Sequence, residues 1–176
     1  MIQFYAPKDK YGGFSNFSRH PVSIYGRIWT TSEHAFQGRK FWPHRPDLVD
    51  LVHAALTPKD STLIGRDRTL PLRADWELAP QGEMSNQFPL TSVDDGVYRD
   101  RPPEPLFNRT KDVVMYEIVL AKFCQHEDLK RLLLGTGDQP LIEDAIHDPY
   151  WGWGCSRSGH NKLGRILMVV RSKLKG

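Results

Sequence analysis

Cysteine is scarce in this 176-residue chain. Cys124 and Cys155 are the only two, and they form no C-x-x-C pair. That excludes a disulfide-built scaffold and leads us to expect the reducing cytoplasm. Long apolar runs are missing as well. No segment offers the span a membrane helix needs, so no membrane partner is expected. The opening Met1-Ile2-Gln3-Phe4-Tyr5 has no basic flank followed by an apolar stretch, and no signal peptide is expected. Neither sign of charge dominates: 24 Lys+Arg against 21 Asp+Glu leave a formal +3. This bias suits a phosphate-bearing ligand but lacks the concentrated stripe of a nucleic-acid binder. The densest basic cluster, Arg171-Ser172-Lys173-Leu174-Lys175, sits where cations complement a helix C-terminus. Internal repeats are also lacking.

With 39% apolar and 26% charged residues, the composition is that of a globular protein with one sizeable core. Residues 1–176 are expected to form a single domain. Residues 2–5 and 22–29 read as short strands, with Gly26-Arg27 as a turn. A helix is expected from Thr31 to before Pro43, with Thr30 as its cap and Glu33 closing a capping box. Residues 46–55 and 58–67 read as short helices opened by Pro46 and Pro58. Val114, Met115, Ile118, Val119 and Phe123 give 111–125 a buried helical stripe. Further helices are expected at 127–134, ending at Gly135, and from Lys162 to about Lys173. The Pro-rich stretch at about 79–110 reads as a long loop excursion, with one short strand near Val97-Tyr98.

Two segments carry chemistry. On the first helix, Glu33, Phe36, Gln37 and Lys40 fall on one face. A carboxylate, an amide and an amine beside aromatic rings can hold a polar ligand, although Glu33 also fits a purely structural box. The second segment runs from His147 to Asn161, a glycine-rich loop with Trp151 and Trp153 leading into a helix. Its glycines, Gly152 among them, let backbone approach a ligand, and the helix start suits phosphate. Asp148 can serve as acid, base or stabiliser of a cationic sugar. Asn161 also fits a plain helix cap, and the tryptophans fit either stacking or core packing. Tyr11-Gly12-Gly13-Phe14-Ser15-Asn16-Phe17 reads as a pocket wall, with Ser15 and Asn16 as hydrogen-bond donors. Arg66 can hold a phosphate and Trp76 can stack on a base.

Other templates fail. The seven histidines show no H-x-x-x-H spacing, and no G-x-S-x-G elbow occurs. Gly154 to Gly159 opens like a P-loop, but His160 stands where the lysine belongs. No metal and no cofactor are expected.

Taken together, these segments resemble the NADAR superfamily, also called YbiA-like. The matching strings are Phe4-Tyr5, the 11–17 loop, Trp29 to Gln37 with Lys40-Phe41, Gly65-Arg66-Asp67-Arg68, and Arg73 with Asp75-Trp76. Lys122-Phe123, Asp148 with Trp151-Gly152, and Gly159 to Gly164 with Leu167-Met168 follow in family order. The resemblance implies a predominantly helical α+β fold with a few short strands. It also implies a metal-independent N-glycosidase that cuts a bond between ribose and nitrogen. Family substrates include phosphoribosylamino-pyrimidine intermediates of riboflavin synthesis and ADP-ribosylated guanine. By position, family functional residues fall on Glu33, Trp76, Asp148, Trp151, Lys40 and Asn161. The expected partner is therefore a nucleotide-like small molecule, ADP-ribose or a ribose phosphate N-glycoside, or else ADP-ribosylated DNA. The 79–110 stretch is longer than in compact riboflavin-linked members and is expected to reshape the substrate mouth. A non-catalytic module that binds ADP-ribose is the alternative from a different class.

Overall fold

A computed structural model describes residues 1–80 and 105–176. Within them lie six α-helices and four three-residue strands. The strand expected near Val97-Tyr98 falls outside the described residues.

The strands form two pairs. β1 (Ile2–Phe4) and β4 (Leu141–Glu143) run parallel, with Phe4 opposite Glu143. β2 (Val22–Ile24) and β3 (Arg27–Trp29) form an antiparallel hairpin. Its turn falls at Tyr25 and Gly26, one residue before the expected place. Both residues take left-handed backbone, φ 56° and 72°, as tight hairpin turns require. β4 carried no expectation at all. Three residues are too few to show the alternation by which a strand is read.

The first helix, α1 (Ser32–Arg39), starts one residue later than the proposed box allows. Thr31 is the cap, and its Oγ1 accepts from His34 N–H. Glu33 is then the second helical residue, one short of the position from which a side chain can return to the cap. Its carboxylate turns inward instead. α2 (Pro46–His53) and α3 (Pro58–Arg66) both open on proline, as expected. Thr57 and Asp60 close a reciprocal capping box on α3. α4 (Thr110–Gln125), α5 (Glu127–Leu134) and α6 (Lys162–Lys175) match the expected helices to within two residues.

The core is built where these helices cross. Val113, Val114, Ile118, Val119 and Phe123 of α4 pack with Leu163, Ile166, Leu167 and Val170 of α6. α1 is buried on nearly every side and packs against α2, α3 and α4. Its contact with α3 is close because Gly65 has no side chain. A Cβ there would lie 1.8 Å from Gln37 Oε1. Two buried amines bind distant segments into this core. Lys122 of α4 donates to Gly13 O at 2.6 Å, Ser15 O at 3.0 Å and Ser18 Oγ at 2.7 Å. Lys162 of α6 donates to the Pro105 and Leu106 carbonyls and stands 3.4 Å from Asp112 Oδ2. Among the described residues, no helix is long and apolar enough to cross a membrane.

Candidate functional site

A cavity of about 550 Å³ opens at the C-terminal ends of β1 and β4, the usual place for a ligand crevice beside parallel strands. Its size is that of a small-molecule site. Tyr5, Ala6 and Pro7 follow β1 into its wall, and Glu143 ends β4, followed by Ala145, His147, Asp148 and Trp151. α1 contributes Glu33, Phe36, Gln37 and Lys40, the face read from the sequence. α3 contributes Lys59, Thr62, Leu63 and Arg66 at the same helical spacing.

The Glu33 carboxylate is held rather than free. Its Oε1 accepts from Gln37 Nε2 at 2.6 Å and from Thr62 Oγ1 at 2.7 Å. Glu33 is buried, and its backbone N–H reaches the Asn16 carbonyl at 3.1 Å. One side chain thus joins α1 to α3, and one peptide joins α1 to the 11–18 loop. Lys122 fixes that loop from below, which carries Ser15 and Asn16 to the cavity wall.

Lys40 donates from Nζ to the Gly65 carbonyl at 2.9 Å. Burial lowers its pKa from 10.5 to about 8. The positive charges of Arg66, Arg68 and Lys111 act in the same direction, while Glu33 opposes them. At pH 7 about a tenth of the amine is then neutral, against a negligible share of an ordinary lysine.

Asp148 is oriented by its own loop. Its Oδ1 accepts from Tyr150 N–H at 3.1 Å and Trp151 N–H at 2.9 Å, and Oδ2 lies 3.7 Å from Arg66 Nη2. Glu143, which the sequence reading overlooked, adds a third carboxyl group. Burial raises its pKa to about 8, and the nearby charges of Asp148 and Glu33 reinforce the shift. Among the described residues, no group of three His, Cys, Asp or Glu side chains is arranged to hold a metal ion.

Of the expected site residues, Glu33, Lys40, Asp148, Ser15, Asn16, Arg66 and Trp151 come together around this one cavity. Three do not reach it. Trp76 is buried and packs on Phe36 with ring centroids 5.1 Å apart. Phe36 itself lines the cavity and also packs on Trp151, with ring centroids 5.3 Å apart. Trp76 therefore supports a cavity wall without being one. Gly152 lies against β4, where a Cβ would stand 2.6 Å from the Glu143 carbonyl. Its lack of a side chain serves loop packing rather than approach to a ligand. Asn161 is fully buried and directs its amide to β4, accepting from Glu143 N–H at 2.9 Å and donating to Leu141 O at 2.9 Å. It precedes α6 in left-handed backbone, φ 48°, and makes no side-chain cap. The unread wall residues Lys59, Thr62 and Leu63 repeat the α1 spacing on α3. Pairing two such helical faces was the available signal.

The NADAR domain family matches residues 3–175. An N-glycosidase of Nostoc punctiforme is 35% identical over 99% of this chain and 92% of its own length. The NMR structure of the Escherichia coli protein YbiA superposes with a TM-score of 0.73 at 34% identity, covering 99% of this chain and 84% of that one. The chloroplastic riboflavin biosynthesis protein PYRR of Zea mays is 32% identical over all of this chain and 25% of its own length.

Proposed function

This chain belongs to the NADAR family and is an N-glycosidase, and we propose that it cuts the bond between a phosphorylated ribose and an exocyclic base nitrogen. The carrying observation is the α1 face, where a buried amine shifted to about 8 shares one cavity with the Glu33 carboxylate. Lys59 and Arg66 at the rim supply cations for a phosphate. Trp151 and Phe36 supply an aromatic wall for the base.

Cleavage of such a bond builds positive charge at the anomeric carbon, which carboxylates stabilise. Glu33 and Asp148 are the candidates for this role. Lys40 supports a covalent route. A ribosylamine opens to an imine between the anomeric carbon and the base nitrogen. The neutral Lys40 amine adds to that carbon, and the base amine departs with a proton. A Schiff base to Lys40 remains, and water then releases the sugar phosphate. The two exposed free thiols, Cys124 and Cys155, suit a reducing compartment, and we place the enzyme in the cytoplasm.

A mass-spectrometric turnover assay tests this reading. A phosphoribosylamino-pyrimidine and ADP-ribosylated guanine in DNA are offered side by side to wild type and Glu33→Ala. Cleavage of the pyrimidine alone, lost in the variant, assigns a metabolite substrate. Cleavage of the DNA adduct alone assigns a base-repair substrate. Ligand-induced stabilisation without release of either base leaves a binding module and overturns the enzyme reading.

A further inference from the structure

Asn16, Ser32, Gln37 and Glu143 each hold a side-chain oxygen sealed from solvent without a hydrogen-bond partner among the described residues. Of these oxygens, Glu143 Oε2 alone belongs to an ionisable group. Glu143 lines the cavity at the end of β4. The other two carboxyl groups there are met by donors: Glu33 by Gln37 and Thr62, Asp148 by two backbone N–H groups and Arg66.

The charges around Glu143 do not favour a carboxylate. Asp148, from the following loop, and Glu33, from α1, are both acidic and both bear on it. The paired strand β1 is Ile2, Gln3 and Phe4 and brings no charge. From α6, Lys162 is committed to the Pro105 and Leu106 carbonyls, Asn108 and Asp112. Arg165, also buried on α6, makes no hydrogen bond to Glu143 Oε2. Negative charge on the sealed Oε2, without a donor and beside two acidic groups, is costly. The neutral acid is the form this place accepts, and its pKa stands at about 8. At neutral pH Glu143 therefore carries a proton, and its Oε1, unlike the sealed Oε2, is the carboxyl oxygen open to the cavity.

We propose that Glu143 is the proton donor to the leaving nitrogen. When the bond from the anomeric carbon to nitrogen breaks, its electron pair goes to nitrogen. The Glu143 carboxyl supplies the proton that lets the base leave as a neutral amine. The water that later attacks the sugar carbon returns a proton to the Glu143 carboxylate. Glu33, which bears on both Lys40 and Glu143, stands electrostatically between nucleophile and acid. This assignment rests on the N-glycosidase reading.

The experiment uses two 5-phosphoribosyl arylamines, one of aniline and one of a nitroaniline, with wild type, Glu143→Gln and Glu143→Asp. A nitroaniline leaves with little help from an acid, whereas aniline needs a proton. Glu143→Gln is expected to lose roughly 10²–10⁴-fold in kcat on the aniline substrate. It is expected to lose far less on the nitroaniline one. Glu143→Asp should restore part of the loss. In parallel, infrared spectra of the unliganded protein should show a protonated carboxyl band at neutral pH that titrates near 8 and is missing from Glu143→Gln. Equal losses on both substrates, or none, would overturn the donor role. Absence of the carboxyl band would overturn the proton itself. If wild type cleaves neither arylamine nor either base-bearing substrate, the N-glycosidase reading falls and takes the donor role with it. The infrared titration would still report the proton separately.

Discussion

Lys40 Nζ and the carbonyl of Gly65 meet at 2.9 Å, so the amine at the end of α1 is fixed by the last turn of α3. The same glycine accepts Gln37 against its Cα. Glu33 then reaches Thr62 one turn earlier on α3. The reactive face of α1 is positioned by a second helix along its length, and small changes at that seam should reach the chemistry.

Gly65→Ala tests the seam directly. The added methyl meets Gln37 Oε1 at 1.8 Å, so Gln37 must turn aside and give up its bond to Glu33, or α1 and α3 must move apart. Overpacking of this kind costs about 1–3 kcal/mol. Thermal unfolding should show the loss. The same variant should lower kcat, because Gln37 and Lys40 move together.

The Lys40 amine should set the acidic limb of the pH–rate profile. Its folded pKa is about 8, and only the neutral amine attacks. Activity should therefore rise with pH toward about 8, well below the ordinary lysine range, and fall beyond it as Glu143 loses its proton. Borohydride added during turnover should leave a sugar adduct on Lys40, with Glu33→Gln as control. A profile that is flat from about pH 6 to pH 9, with no adduct, would remove the covalent route.

Glu143 should leave a mark on stability as well. Its carboxyl titrates at 4.5 when exposed and at about 8 in the fold. Between those values the folded state holds the extra proton. The contribution to stability is then full below 4.5 and is lost as pH rises through about 8. Glu143→Gln has no such loss. It should melt about 10 °C or more above wild type at about pH 9 and close to it at about pH 5.

Lys122→Met should unpin the 11–18 loop. Gly13 O, Ser15 O and Ser18 Oγ would each lose their donor in a buried setting. Each buried acceptor left without its donor costs about 1–3 kcal/mol. In whatever fraction stays folded, KM should rise, because Ser15 and Asn16 lose their support.

The two tryptophans should behave differently. Trp151 lines the cavity, and Trp151→Ala is expected to raise KM. Trp76 packs on Phe36 within the core rather than lining the cavity, so Trp76→Phe should lower the melting temperature while leaving KM near wild type. A KM effect of equal size in both would place Trp76 at the substrate after all.

The helices were legible in the sequence because periodicity, prolines and caps are local. Pro46 and Pro58 open α2 and α3, and Val114 to Phe123 marks α4. The α1 face from Glu33 to Lys40 was legible for the same reason, since helical geometry fixes which side chains share a side. The cap was misplaced by one residue, at Thr30 instead of Thr31. Neighbouring threonines offer the same hydroxyl, and only the carbonyl of Asn16 meeting Glu33 N–H decides between them.

What the sequence alone determined was the family, the helical framework and the amine–carboxylate stripe of α1. The tertiary structure decided which polar and aromatic groups face the cavity. Trp76, Gly152 and Asn161 read as site residues by type, yet packing turns them toward Phe36, the Glu143 carbonyl and β4. Glu143 sat unnoticed in a three-residue strand. Its character comes from Asp148 and Glu33, five residues downstream and on a distant helix, and from burial. Charge proximity and exclusion of water are properties of the assembled fold, so no local pattern along the chain encodes them.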